Sequence, residues 1–126
     1  VEGATFYLKS LVDRLPETGI AIRGFRAAGG GSKSDRWVQL SADILGRPFV
    51  RPAVTEAGAL GAAIIAGVGK GTFTSFEQGI DAMVKLEQTF TPNSVRHRAY
   101  APWFARYRET WNLMKERLRD LPPSAR

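Results

Sequence analysis

Residues Ala28–Ser34 read Ala-Gly-Gly-Gly-Ser-Lys-Ser, and they separate two segments of different hydrophobic periodicity. The preceding stretch, Ile20–Ala28, is largely apolar and predicts a core strand. After the glycines, Ser34 can cap a helix that ends at Gly46. Glycines allow backbone amides to approach a ligand closely, and a helix N-terminus presents unpaired N–H groups. This strand, turn and helix can therefore cradle a nucleotide, although a glycine triplet alone is also consistent with a purely structural turn.

The rest of the chain predicts more helix than strand. The further elements, in chain order, are a helix over Thr5–Leu15, a strand over Phe49–Arg51, a helix capped by Thr55, a helix over Phe76–Leu86 and an amphipathic helix over 96–121. Small residues between Ala57 and Ala63 let the third helix approach a neighbour closely, so we expect that helix to be central and tightly packed. Two short strands do not form a stable sheet alone, so we expect further strands from upstream or from another chain.

Composition restricts the possible classes of protein. With 126 residues, 44% hydrophobic and 24% charged, the chain can form one globular domain or part of one. The longest apolar run, Ala57–Gly69, is interrupted by glycines and is shorter than the roughly 18 residues of a membrane span. Without cysteine, the chain offers no disulfide or thiolate metal site, and a cytoplasmic location is expected. The start, Val1-Glu2-Gly3, has no methionine or secretory signal and suggests a piece of a longer protein.

The net charge of +6 raises the possibility of a nucleic-acid surface. The segment from Arg96 to Arg126 holds eight Lys/Arg and three Asp/Glu, so +5 of the excess lies at the end of the chain. No recognisable nucleic-acid-binding motif accompanies this charge. We interpret it as a solvated helix face, and expect neither a nucleic-acid nor a membrane partner.

A second glycine-rich segment, Gly67–Thr72, superficially resembles the end of a phosphate-binding P-loop. The P-loop motif requires a glycine where this chain has Ile64, and a serine or threonine where it has Gly71. The segment also follows a predicted helix, whereas a P-loop follows a buried strand. It is better explained as a glycine-rich helix C-terminus.

No catalytic or metal-binding constellation emerges from the spacing of the ionisable residues. The acidic residues considered show no paired spacing typical of an acid/base couple, and we expect them to be caps or surface groups: Asp13, Asp35, Asp43, Glu56, Glu77 and Asp81. The lone histidine, His97, lies between two arginines and is expected to be a solvated residue near a helix start.

Taken jointly, several motifs resemble one known family, the FGGY carbohydrate kinases, and within it the xylulokinase-like branch. The residues that carry the resemblance are Gly29-Gly30-Gly31-Ser32-Lys33-Ser34, Trp37, Gln39, Ala42-Asp43, Leu45-Gly46-Arg47-Pro48 and Val54 through Ala63. The segments Val1–Gly3 and Phe76–Phe90 and the final aromatic helix also resemble the family, so the likeness covers essentially the whole chain.

The resemblance implies an α/β fold, the C-terminal part of an actin-like ATPase (ribonuclease H-like) domain, helix-rich with a short partial sheet. Residues 1–126 would then form the C-terminal part of the second, ATP-binding domain of the kinase. Within it, 1–95 would be the α/β portion, 96–121 the amphipathic helix and 122–126 a tail.

The resemblance also implies an ATP-dependent, Mg²⁺-requiring kinase that phosphorylates a sugar or polyol hydroxyl, with a xylulose-like pentulose favoured. The residues implied to contact the adenosine are Gly29, Gly30, Gly31 and Ser34. Glycerol kinases carry asparagine at the position of Ser34, so this serine is either a ligand or simply a helix cap. The family's catalytic aspartate, sugar pocket and phosphate loops lie upstream of this segment. The isolated chain is therefore predicted to be inactive.

The implied partners are ATP or ADP and, through the absent N-terminal domain, a sugar. An open sheet edge and apolar face further predict a homo-oligomer. An alternative function is also consistent with the sequence: the chain could be a non-catalytic interaction or oligomerisation module that retains the kinase scaffold.

Overall fold

The computed structural model describes residues 2–119, apart from the side chain of Glu116. The expected tail, 122–126, lies outside the described residues. The helices are α1 (Glu2–Val12), α2 (Asp35–Leu45), α3 (Ala57–Gly69), α4 (Phe76–Met83) and α5 (Ser94–Arg119). The strands are β1 (Phe25–Arg26), β2 (Phe49–Pro52) and β3 (Leu86–Phe90). Short 3₁₀ turns occupy Leu15–Thr18 and Gly30–Lys33.

The three strands form one sheet in the order β1-β2-β3. β1 and β2 are parallel, with Phe25 opposite Phe49, and α2 provides the connection between them. β3 returns antiparallel to β2, with Phe90 opposite Phe49. The expected helix-rich α/β fold with a short partial sheet is therefore confirmed.

One predicted strand is much longer than the observed strand, and one observed strand was not predicted. The strand expected over Ile20–Ala28 is reduced to Phe25–Arg26, the two residues that pair with Phe49 and Val50 of β2. Ile20, the first residue of the expected strand, is 54% exposed. β3 was not predicted, because among its residues only Phe90 is buried and the others lack the alternating apolar pattern of a strand. The helix expected over Phe76–Leu86 accordingly ends earlier, at Met83.

Helix α2 lies at the centre of the core and contributes side chains to two hydrophobic clusters. The first cluster packs α2 on the sheet and contains Val38, Ala42, Leu45, Phe49 and Phe90. The second joins α2 to α1 and α5 and contains Phe6, Ile44 and Phe104. Burial on opposite faces makes α2 the element that fixes the positions of the others.

The prediction that α3 is central and tightly packed is not met in the described chain. Of its residues only Ile64 is buried, and Ile65 is 63% exposed. α3 packs mainly on α4, where the glycines at 67 and 79 leave room for the ring of Phe73. Its N-cap is Glu56, without a side-chain cap bond, rather than Thr55. Small side chains permit close packing, but they bury little area and do not specify which neighbour is present.

The final helix begins at Ser94 and includes Pro102. Its first turn is capped by Asn93, whose side-chain oxygen accepts hydrogen bonds from the backbone N–H groups of Val95 and Arg96, at 3.0 Å each. Within residues 2–119, no helix has both the length and the apolar character needed to cross a membrane.

Candidate functional site

The glycine triplet forms a turn between β1 and α2, which we call the glycine turn (Gly29–Ser34). Gly29 has φ 81°, a conformation that favours glycine, and its N–H donates to the carbonyl of Thr55 at 2.7 Å. The hydroxyl of Ser32 donates back to the carbonyl of Gly29 at 2.7 Å, and the residue is only 4% exposed. The turn is therefore closed on itself and fastened to the segment before α3.

Ser34 ends the glycine turn and caps α2. Its Oγ accepts a hydrogen bond from the N–H of Trp37 at 3.4 Å, as the sequence predicted. At the other end of α2, Gly46 adopts φ 64° and closes the helix, also as predicted. The Ser34 hydroxyl accepts in this bond and keeps a proton that it can donate elsewhere.

The glycines differ in what surrounds them. A methyl group on Gly31 would lie 1.9 Å from Cζ3 of Trp37, so the indole ring packs directly on the backbone there. At Gly30 nothing lies within 4 Å of the same position. Gly31 is thus required for packing, whereas the backbone at Gly30 is uncovered. Sequence reasoning did not identify Trp37 as the side chain that packs on this turn.

A cleft of about 230 Å³ adjoins the glycine turn. It is lined by Leu8, Ala27, Ala28, Gly31, Ser32, Trp37, Val38, Ser41 and Phe49. Of the predicted site residues Gly29, Gly30, Gly31 and Ser34, the structure places only Gly31 on its wall. All four lie in the same turn, but Gly29, Gly30 and Ser34 are not part of this cleft.

Arg51 of β2 reaches the glycine turn from the sheet. Its guanidinium donates to the carbonyl of Ser32 at 3.0 Å and to Oδ1 of Asp35 at 2.6 Å. A further bond reaches Oε1 of Gln88 at 2.5 Å. This residue was also missed by sequence reasoning, and the available signal was an arginine within an otherwise apolar strand segment.

Asp43 forms a polar cluster near the far end of α2. The carboxylate is 1% exposed and accepts hydrogen bonds from Nε2 of Gln39 and the N–H of Asn93, both at 2.8 Å. Arg96 approaches its other oxygen at 3.2 Å. A buried carboxylate with these donors joins α2 to the start of α5 and has a structural role. The prediction that Asp43 is a cap or surface group is therefore wrong, because Asp43 is buried.

The expectation that His97 is simply solvated was wrong. Its Nδ1 lies 2.8 Å from the carbonyl oxygen of Asp43, and the ring packs against Gly46, where a methyl group would come within 2.6 Å of Cε1. The residue is half-buried. The histidine belongs to the contact between α2 and α5, which brings together residues 54 positions apart.

Two groups with shifted pKa values lie away from the glycine turn. Burial raises the pKa of the Tyr100 hydroxyl, and the nearby carboxylate of Glu2 raises it further. Hydrogen bonds from the first-turn backbone of α4 and from Ser75 lower the pKa of Glu77. Across residues 2–119, no group of three or more acidic or histidine side chains is arranged to hold a metal ion.

The glycine turn, its capped helix and the small mixed sheet can be compared with known proteins. Residues 1–69, more than half of the chain, match the family model for the C-terminal domain of the FGGY family of carbohydrate kinases. The chain belongs to this family. The resemblance inferred from the glycine turn and the motifs around it is confirmed.

Curated FGGY relatives include kinases for different substrates. A xylulose kinase of Staphylococcus epidermidis is 31% identical over 121 residues, which is 96% of this chain and 24% of the relative. An autoinducer-2 kinase of Escherichia coli K12 is 43% identical over 91 residues, covering 69% of this chain and 17% of the relative. The chain thus spans a quarter or less of the length of these relatives.

Solved kinases share the fold. The xylulose kinase of Lactobacillus acidophilus superposes with a TM-score of 0.78 at 25% identity, covering 90% of this chain and 23% of that one. A Plasmodium falciparum glycerol kinase, solved with ADP, gives a TM-score of 0.69 at 24% identity over 86% of this chain and 22% of that one. The actin-like ATPase fold expected for the FGGY family is therefore confirmed.

Proposed function

We propose that the chain is the adenosine-side segment of an ATP-dependent carbohydrate kinase. The observation that carries this proposal is the glycine turn, which opens directly into α2 and leaves the backbone of Gly30 uncovered. The chain's FGGY membership supports it, as does its shared fold with a glycerol kinase that was solved with ADP. The proposed nucleotide contacts are the backbone of Gly29, Gly30 and Gly31 and the hydroxyl of Ser34.

The chemistry of the turn suits the neutral end of a nucleotide. An adenine ring needs a flat surface and hydrogen-bonding groups, and bare glycine backbone supplies both without a side chain in the way. The nearest cation on the turn, Lys33, is paired with Glu56 at 3.1 Å, and Arg51 is paired with Asp35. Both of these cations thus already have an anionic partner, which favours the adenosine over the phosphates as the group bound here.

In the complete kinase this segment would bind and orient ATP rather than perform the chemistry. Phosphoryl transfer depends on positioning and on neutralising charge, and Mg²⁺ with ATP supplies the activated phosphoryl group. The magnesium ligands and the catalytic base are proposed to lie in the part of the kinase outside this chain, as the chain's membership of the FGGY family implies. The substrate is a sugar or polyol hydroxyl, and a xylulose-like pentulose is favoured.

The proposed organisation follows the same family pattern. Residues 1–95 are proposed as the α/β portion of the ATP-binding domain, and α5, which is described as far as Arg119, as its amphipathic helix. A homo-oligomer remains a prediction, motivated by the open edge of β1 and by exposed apolar groups on α5 such as Trp103, which is 62% exposed.

The first test is titration of the chain with ATP and ADP by calorimetry. We expect both nucleotides to bind at millimolar concentration or better, and Gly30→Trp to abolish the heat of binding. The reason is that the space beside Gly30 is open, so an indole there can occupy the adenosine position without disturbing the fold.

The matched control is Gly58→Trp on α3. Gly58 also has nothing within 4 Å of the position that an added methyl group would take, but it lies outside the glycine turn. We expect this variant to bind like the parent chain. Absence of binding by the parent at millimolar nucleotide, or equal binding by the parent and Gly30→Trp, would refute the proposed site and favour the non-catalytic interaction module.

The second expectation is that the chain alone does not phosphorylate a sugar. A coupled assay with ATP, Mg²⁺ and xylulose should show no turnover above the background without protein, because the proposed catalytic base and sugar pocket lie elsewhere in the kinase. Magnesium-dependent turnover by the purified chain would overturn this assignment.

A further inference from the structure

We propose that Arg51 is a positioning residue for the nucleotide site, which fixes the shape of the glycine turn without touching the ligand. The inference rests on the proposed function, because it concerns the same turn. Two segments distant in sequence meet at this one guanidinium: the glycine turn with the first turn of α2 that directly follows it, and the strand β3.

The contacts of Arg51 occupy most of its donors. Nη1 serves both the Ser32 carbonyl and Asp35, while Nη2 bonds Gln88. Nε lies 3.9 Å from a carboxylate oxygen of Glu87, and the guanidinium carbon lies 5.4 Å from the centre of the Phe90 ring. The Arg51 side chain is 13% exposed. A guanidinium used in this way has little capacity left for a ligand, which is why the role is positioning.

The glycine turn needs such a support. Glycine loses more backbone freedom on ordering than any other residue, and here three are consecutive. The local bonds of the turn, Ser32 to Gly29 and the Ser34 N–H to Gly31, join residues of the turn only to one another. The start of the turn is attached to the rest of the chain by the Gly29 N–H, which donates to the Thr55 carbonyl at 2.7 Å. Arg51 attaches the turn to the sheet, because it donates to the carbonyl of Ser32. This bond fixes the position of the backbone at Gly30 and Gly31.

Arginine is suited to this task and lysine is not. Its planar fork can reach a carbonyl, a carboxylate and an amide oxygen at the same time, each in a different direction. A lysine at the same position has one compact ammonium group, which cannot reach all three acceptors at the same time. Packing of the fork against Phe90 further limits its rotation.

The test combines amide hydrogen exchange with ligand titration on Arg51→Met, Arg51→Lys and the control Arg96→Gln. Arg96 forms an ion pair with buried Asp43 at the opposite end of α2, so its loss perturbs stability away from the turn. For Arg51→Met we expect exchange of the hydrogen-bonded amides within 29–34, those of Gly29, Ser32 and Ser34, to rise about tenfold, with exchange in α5 unchanged. Arg51→Lys should give a smaller rise, and Arg96→Gln none at the turn.

Binding then separates positioning from direct contact. At a temperature where every variant is folded, Arg51→Met should weaken ATP, ADP and adenosine by the same factor, about tenfold, while Arg96→Gln leaves all three unchanged. Equal weakening is expected because the turn faces the group common to the three ligands. A loss for ATP much greater than for adenosine would show a phosphate contact and overturn the positioning role.

The exchange and binding measurements test this inference and the proposed function separately. If the parent chain binds no nucleotide, the proposed function fails, and the exchange data alone decide whether Arg51 holds the turn. Unchanged exchange at 29–34 in Arg51→Met would overturn the inference even if nucleotide binds.

Discussion

Replacing Asp43 by alanine should lower the free energy of unfolding by about 3 kcal/mol, measured by urea denaturation. The carboxylate is 1% exposed, and its removal takes the acceptor from the Asn93 N–H and one of two acceptors from the Gln39 amide, which keeps its bond to the Thr91 carbonyl. Each such group left unsatisfied costs about 1–3 kcal/mol. Arg96 also loses its partner, but its side chain is 61% exposed and regains solvation.

Two variants serve as controls for this result. Asp43→Asn retains a side-chain oxygen and should cost less than alanine, because one acceptor remains for the N–H groups. Asp81→Ala removes an exposed carboxylate from α4 and should change the free energy of unfolding by less than about 0.5 kcal/mol. If Asp43→Ala were as stable as Asp81→Ala, the polar cluster would not be what joins α2 to α5.

Replacing Gly31 by alanine should lower the free energy of unfolding by about 2 kcal/mol, because the added methyl group meets the Trp37 ring at 1.9 Å. The ring has to move or the turn has to open, and in either case the proposed nucleotide site changes shape. We therefore expect nucleotide affinity to fall with stability. Urea denaturation and calorimetric titration with ADP measure the two effects.

Gly30→Ala is the matched control, one residue away, where the methyl group enters open space. Its effect on stability should be within about 0.5 kcal/mol. A double-mutant cycle identifies the clash: in a Trp37→Leu background, Gly31→Ala should cost much less than in the parent chain. Equal costs in the two backgrounds would contradict the packing of Trp37 on Gly31.

Helix α2 shows how much local sequence can predict. Ser34 at its start and Gly46 at its end were identified as caps from residue type and spacing, and the structure confirms both. Capping and hydrophobic periodicity depend on groups within about one helical turn, so they are present in the local sequence. The strand at Phe49 was found for the same reason, since it is a short apolar segment between two breaks.

Elements at the edge of the fold were predicted less well. β1 is shorter than its apolar pattern suggested, and β3 was taken in part for the end of a helix. α3 is the clearest error, because its apolar composition suggested a central position, whereas only Ile64 is buried. An apolar composition indicates that a helix can be buried. It does not specify which element packs on the helix, because that depends on the tertiary structure or on another part of the protein.

The glycine turn divides in the same way between local sequence and tertiary structure. The sequence by itself determined the position of the turn, the cap at Ser34 and, through the joint motif, the FGGY family. The tertiary structure alone decided that Trp37 covers Gly31 and leaves Gly30 open, and that Arg51 holds Ser32. The Arg51–Ser32 bond spans 19 residues and the His97–Asp43 contact 54. Contacts over such separations exist only once the sheet and helices have packed, so no local pattern specifies them.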